Sequence, residues 1–182
     1  ELNLENPKTY NEKLQWLKLY YHNPLMTKCA DKYLAREYIK DTVGEDYLIP
    51  LLGVWDKAED IDFDSLPKQF VLKVNWGSGM NIVVKDKSKL DIEDAKKKLK
   101  KWINPFSNHY YASYEYSYKY IEPKIVCEKY MKDLNTDNLI VYRIYCFDGI
   151  PKYIHAITDA HTGMDRCNIY DTKWNKLDLV YR

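Results

Sequence analysis

Leu14, Leu17 and Tyr21 recur at three- and four-residue spacing, with Trp16 and Tyr20 beside them, and this period predicts an amphipathic helix. Thr9-Tyr10-Asn11-Glu12 at its start has the capping-box form, in which a hydroxyl and a carboxylate satisfy the free amides of the first turn. Pro24 breaks this helix. A second is predicted from about Leu25 to Lys40, with Ala30, Tyr33, Leu34 and Tyr38 on its inner face and Gly44 after its end. The chain thus opens on a helical hairpin. From Tyr47 the pattern changes to short apolar runs. Leu48 to Val54 reads as a strand and Asp60 to Pro67 as an acidic loop. Phe70 to Val74 and Asn81 to Lys85 read as two strands joined by Asn75-Trp76-Gly77-Ser78-Gly79-Met80, a hairpin with a glycine-bearing tip.

Asp91 to Ile103 returns to helical spacing, with Ile92, Ala95, Leu99 and Trp102 inward and most of the lysines between Lys96 and Lys101 on a solvated face. Tyr114, Tyr116, Tyr118 and Tyr120 alternate, which would set four rings on one face of a strand. Such rings can stack on sugars or bases, but a half-buried packing face is the expected role. Lys124 to Tyr130 is a clear strand. Asn138 to Phe147 and Lys152 to Ala160 form a hairpin closed at Asp148-Gly149, a pair suited to positive φ. Gly163 to Arg182 has weak strand character and is expected to be cut rather than finished.

Composition narrows the function classes. Of 182 residues, 46% are hydrophobic and 30% charged, a globular composition. Lys plus Arg (28) nearly cancels Asp plus Glu (27), which argues against non-specific grip of a nucleic-acid backbone. Cys29, Cys127, Cys146 and Cys167 are widely spaced and are expected to be free, buried thiols in a reducing compartment. No apolar run reaches the roughly 20 residues that a membrane-spanning helix needs. The start at Glu1-Leu2-Asn3 lacks Met, so the natural N-terminus is expected to lie upstream, and a cytoplasmic location is expected.

Candidate chemistry is sparse. Lys73 stands near a strand end beside Gly77-Ser78-Gly79, where loop amides and an ammonium can meet phosphate oxygens. Taken alone, that tripeptide is a turn. Neither G-x-x-x-x-G-K-[ST] nor G-x-G-x-x-G occurs. His22, His109, His155 and His161 show no zinc spacing, and no G-x-S-x-G elbow is present.

The order of segments resembles the TupA-like ATP-grasp family, named for teichuronopeptide synthesis and found in cell-surface and capsular polysaccharide loci. The resemblance runs through Asn6 to Leu17, Asp31 to Tyr38, Phe70 to Gly79, Pro123 to Met131 and Tyr145 to Lys152, nearly the whole chain in order. It implies that Lys32 and Lys73 contact phosphate and that Gly77, Ser78 and Gly79 fold over the triphosphate of ATP. It implies that Glu128, Lys129 and Met131 belong to a hinge that hydrogen-bonds the adenine edge, that Asp133 holds the ribose, and that Arg143 adds positive charge. Val141-Tyr142-Arg143 stands where the family commonly shows Asp-Tyr-Lys, Trp76 stands where His is usual, and Met80 replaces a small residue. Family members continue into an Asp and a Glu-x-Thr segment that bind Mg2+. No counterpart is found here, and Asp159, Asp165 and Asp171 are expected to be loop residues.

The expected fold is α+β and ATP-grasp-like. Residues 1–46 form the helical region, 47–122 a small lobe with the glycine loop, and 123–182 the hinge and the start of a second antiparallel sheet. The family's chemistry is ATP-dependent activation of a small-molecule carboxylate or polysaccharide precursor to an acyl phosphate, then attack by an amine or similar nucleophile. The present chain alone is expected to be inactive. The alternatives are a non-catalytic nucleotide- or sugar-binding protein, or a glycosyltransferase, for which only Asp60-Ile61-Asp62 and Asp62-Phe63-Asp64 have the right form. Lys73→Ala is expected to weaken nucleotide affinity and leave folding nearly unchanged.

Overall fold

Glu12 donates its backbone N–H to the Thr9 hydroxyl at 3.3 Å, and its carboxylate accepts the N–H groups of Thr9 and Lys8, each at 2.9 Å. This capping box starts α1, Tyr10–Tyr20. The amides of Thr9, Asn3 and Lys8 hold the Glu12 carboxyl down at about 2. In the computed structural model, which describes residues 2–132, 139–158 and 166–179, the expected second helix is two helices, α2 (Pro24–Ala30) and α3 (Leu34–Thr42). The break has a local cause. Asp31 is buried and extended, and its Oδ1 accepts the N–H of Tyr33 at 2.7 Å and of Leu34 at 3.2 Å. A side chain that satisfies the next helix's free amides ends the previous one. The N-terminal hairpin is therefore a three-helix segment.

By its contacts the chain divides into two compact units, Glu1–Tyr130 and Met131–Arg182. In the first, β1 (Leu51–Trp55), β2 (Phe70–Val74), β3 (Asn81–Val84) and β4 (Ile125–Lys129) form an antiparallel sheet of order β1-β4-β2-β3. Alternation assigns the faces. Phe70, Leu72 and Val74 are fully buried, and in register with them Cys127 and Ile125 join the same core. Against it pack Leu99 of α4 (Ile92–Trp102) and the loop residues Ala58, Ile61, Phe63 and Leu66. Burial pushes the Cys127 thiol up to about 12, leaving it an inert core residue. All four cysteines are free, but Cys29 and Cys146 are exposed and Cys167 is half-buried, so the expectation of buried thiols holds for Cys127 alone.

The tyrosine run is not a strand. It folds into α5 (Tyr110–Ser113) and a 3-10 turn over Tyr116–Tyr118. Asn108 accepts the N–H of Tyr110 and donates to the carbonyl of Tyr118, both at 2.8 Å, while the Ser113 hydroxyl accepts the N–H of Glu115 at 3.2 Å. Short polar side chains thus take the backbone partners that a ladder would need. Four rings on one strand face is a periodicity that these bonds override.

The second unit holds β5 (Val141–Phe147), β6 (Ile150–Thr158) and β7 (Arg166–Tyr170) in an antiparallel sheet of order β5-β6-β7. Asp148 and Gly149 have φ of 51° and 71°, the two left-handed residues of a tight hairpin turn. Helices and antiparallel sheets together give the α+β class.

Candidate functional site

Lys73 lies between the buried Leu72 and Val74, so its side chain leaves the face of the sheet opposite the core. On β4 the same alternation sends Val126 and Glu128 that way. Register then sets Val54, Val126, Lys73 and Asn81 in one row across four strands. Glu128 sits diagonal to Lys73, opposite Val71, and is only 6% exposed. Its Oε2 pairs with the Lys73 ammonium, and its Oε1 accepts from Arg36 Nη1 at 2.9 Å. The other Arg36 nitrogen donates to the carbonyl of Ile49 at 2.8 Å, which pins α3 to the chain entering β1. A carboxylate this buried is tolerated because each of its oxygens meets a cation.

A second lysine reaches the same end of the sheet. The break at Asp31 turns the backbone N–H of Lys32 onto the carbonyl of Asn75 at 3.0 Å. Its ammonium donates to the carbonyl of Gly77 at 2.7 Å and to that of Asn75 at 3.4 Å. Burial, and then the neighbouring Lys73 charge, hold the Lys32 amine below its usual range. Lys73 and Arg36 share the one Glu128 carboxylate, while Lys32 adds its charge beside Lys73 with Asp31 as the carboxylate acting on it, so three cations face two carboxylates. An incoming anion would relieve that imbalance.

The loop is shaped by its glycines. Gly77 and Gly79 have φ of 79° and 74°, which side-chain-bearing residues rarely adopt. Gly77 is buried, whereas Ser78 and Gly79 are exposed. A Cβ at Gly77 would meet Met80 Sδ at 3.2 Å, and one at Gly79 would meet nothing within 4 Å. Alanine at either position is expected to cost about 1–2 kcal/mol through the left-handed backbone. Gly77→Ala alone also crowds the Met80 sulfur, at the residue whose carbonyl holds Lys32. Denaturant unfolding should show both losses; ATP titration should show a weakening for Gly77→Ala that exceeds that of Gly79→Ala.

Lys32, Lys73, Gly77 and Glu128 are thus brought together, with Ser78 and Gly79 in the same loop. Lys129 ends β4 with its side chain exposed and its N–H bonded to the carbonyl of Pro50 at 2.9 Å. Met131 and Arg143 belong to the second unit, where Arg143 is exposed and in register with His155. Asp133 lies outside the described residues. The reading of Lys73 as a strand-end cation with little role in folding is corrected: deleting it leaves a buried carboxylate with one partner.

Sequence reasoning missed two residues. Arg36 follows Lys32 by four residues, a spacing that could have flagged a second cation. Asn75, fully buried, donates to the carbonyl of Glu122 and accepts the N–H of Lys124, both at 2.8 Å, stitching the loop's root to the start of β4. A polar residue directly after an alternating strand was its only signal. Trp76, 2% exposed, donates to the carbonyl of Trp102 at 2.9 Å and belongs to the core.

Among the described residues no group of three or more His, Cys, Asp or Glu could hold a metal ion. Among them, too, no helix is long and apolar enough to cross a membrane. A sequence model described as TupA-like ATPgrasp matches residues 12–182. No curated protein and no solved structure matches the chain.

Proposed function

The chain belongs to the TupA-like ATP-grasp family, and from that premise we propose that it binds ATP, as part of an ATP-dependent ligase, with the polyphosphate held by Lys32, Lys73 and the amides of the Gly77–Gly79 loop. The observation that carries this reading is a Lys32 ammonium held on the Gly77 carbonyl within electrostatic reach of Lys73, which is itself tethered by a buried Glu128 that Arg36 also holds. Charge on a transferring phosphoryl group is stabilised best by cations fixed beforehand. Glu128 is then a positioning residue for Lys73, since both its oxygens are engaged. Recognition of adenine falls to the backbone around Lys129, and the family resemblance assigns Met131 to the same hinge, ribose contact to Asp133 and additional charge to Arg143.

The reaction proposed for the full-length protein has two steps. A carboxylate oxygen attacks the γ-phosphorus of ATP and ADP departs; an amine or similar nucleophile then attacks the acyl carbon and inorganic phosphate departs. Magnesium, when bound, supplies charge neutralisation at the phosphates. The substrate class is a small-molecule carboxylate or polysaccharide precursor, in cell-surface polysaccharide biosynthesis and in the cytoplasm.

Isothermal titration of the full-length protein with magnesium-ATP tests the binding. Saturable heat is expected, abolished by Lys32→Met together with Lys73→Met. No binding by protein shown to be folded by circular dichroism would overturn the reading. Binding without ADP release in the presence of candidate carboxylates would favour nucleotide binding alone, to which Val141 in place of the usual family aspartate also points.

A further inference from the structure

Helices α2 and α3 have a second face. Whereas Lys32 and Arg36 turn to the sheet, Thr27, Lys28, Leu34 and Glu37 line a groove together with Tyr116 and Tyr120. The groove holds about 450 Å³, within the range of small-molecule sites. Its aromatic wall is built from rings that hold one another. His22 stacks on Tyr116 at 3.7 Å and 15°, and Tyr120 meets Tyr116 edge-on at 5.5 Å and 78°. The Lys119 ammonium lies 5.2 Å from the Tyr120 ring centre and 5.9 Å from that of Tyr116, a further restraint on both. Tyr120 nevertheless remains 62% exposed, so this wall is not spent on core packing.

The polar side of the groove carries Lys28 and Glu37, paired at 2.6 Å, with the Glu37 side chain 69% exposed. Donor and acceptor therefore stand side by side, and their charges cancel. That pairing sets the polar side of the groove apart from the cationic Lys32–Lys73 cluster, while the Lys119 charge at the wall lies against the Tyr120 and Tyr116 rings. A ligand that matches needs one flat apolar face for the rings and a rim of groups that each donate and accept. Hydroxyls do both. A pyranose ring has a C–H face of that kind and vicinal hydroxyls around its edge.

We propose that this groove is a binding site for an uncharged pyranosyl unit, stacked on the exposed ring of Tyr120 beside Tyr116 and hydrogen-bonded to the Lys28–Glu37 pair. It goes beyond the nucleotide reading and shares none of its residues, so either can fail without the other.

The full chain, with its tyrosine rings isotopically labelled, is titrated by NMR with the methyl pyranosides of glucose, galactose, mannose and N-acetylglucosamine, without nucleotide. At least one is expected to shift the Tyr116 and Tyr120 ring signals saturably. Tyr120→Ala should weaken that binding about tenfold or more, Tyr120→Phe should retain it, and Glu37→Gln should weaken it less than Tyr120→Ala. Benzyl alcohol, a flat ring without a diol, is the comparator. Silence with every pyranoside, shifts that persist unaltered in a folded Tyr120→Ala protein, or saturable binding of benzyl alcohol alone would each overturn the proposal. The last outcome would make the groove an apolar docking surface.

Discussion

Glu128→Ala is expected to lower the stability of the first unit by about 3–5 kcal/mol, the usual penalty for removing one partner of a buried ion pair. Among the described residues this carboxylate is the counter-charge that joins Lys73 to Arg36, and the Lys73 and Arg36 side chains are only 22% and 16% exposed. Without it two cations face each other with little water between them. Urea unfolding of the single variant and of the double variant Glu128→Ala, Lys73→Met distinguishes this from ordinary loss of packing. Removing both charges should restore part of the stability, because the second change takes away an unpaired cation. A cost below about 1 kcal/mol for Glu128→Ala would mean that solvent screens the pair as it does a surface bridge.

Lys73→Met and Lys32→Met are each expected to weaken ATP binding by about 10- to 100-fold, since a hydrogen bond to a charged group contributes roughly 1.5–3 kcal/mol. They differ in what else they disturb. Lys73→Met leaves Glu128 with Arg36 alone and should also reduce stability. Lys73→Met combined with Glu128→Gln removes that complication and should show the affinity loss nearly undiluted. Lys32→Met leaves the Gly77 carbonyl without its ammonium, so this loop keeps only the bond from the backbone N–H of residue 32 to the Asn75 carbonyl. Unaltered affinity in both single variants would place the phosphates elsewhere.

Lys32 also imposes a pH dependence. Burial and Lys73 depress its proton affinity in the free protein, and a bound polyanion raises it again. Between the depressed and the restored values, binding takes up a proton, so affinity should fall as pH rises there. Calorimetry at alkaline pH in buffers of different ionisation enthalpy should reveal uptake, and Lys32→Met should remove it.

The strands around the site were legible because alternation and turn chemistry are local. Phe70 to Val74 has the predicted bounds, α4 carries Ala95 and Leu99 on its buried stripe, and Asp148-Gly149 turns as its φ preferences require. The errors came where a polar side chain competes for backbone bonds. Asp31 divides a continuous helical pattern, and Asn108 with Ser113 folds an alternating tyrosine run into turns. Periodicity records which side chains prefer burial, but not which amides a neighbouring carboxylate or amide will claim.

Local chemistry alone thus determined the apolar stripes, the capped helix start, the glycine-bearing tip and the presence of lysines near it, all properties of residues a few positions apart. Strand register decided the rest. It put Glu128 diagonal to Lys73 across fifty-odd residues of chain, let Arg36 close on the same carboxylate, and buried Lys32 against Gly77. Charges distant in sequence influence one another only once folding removes the water between them, and no short-range pattern encodes which pairs will meet.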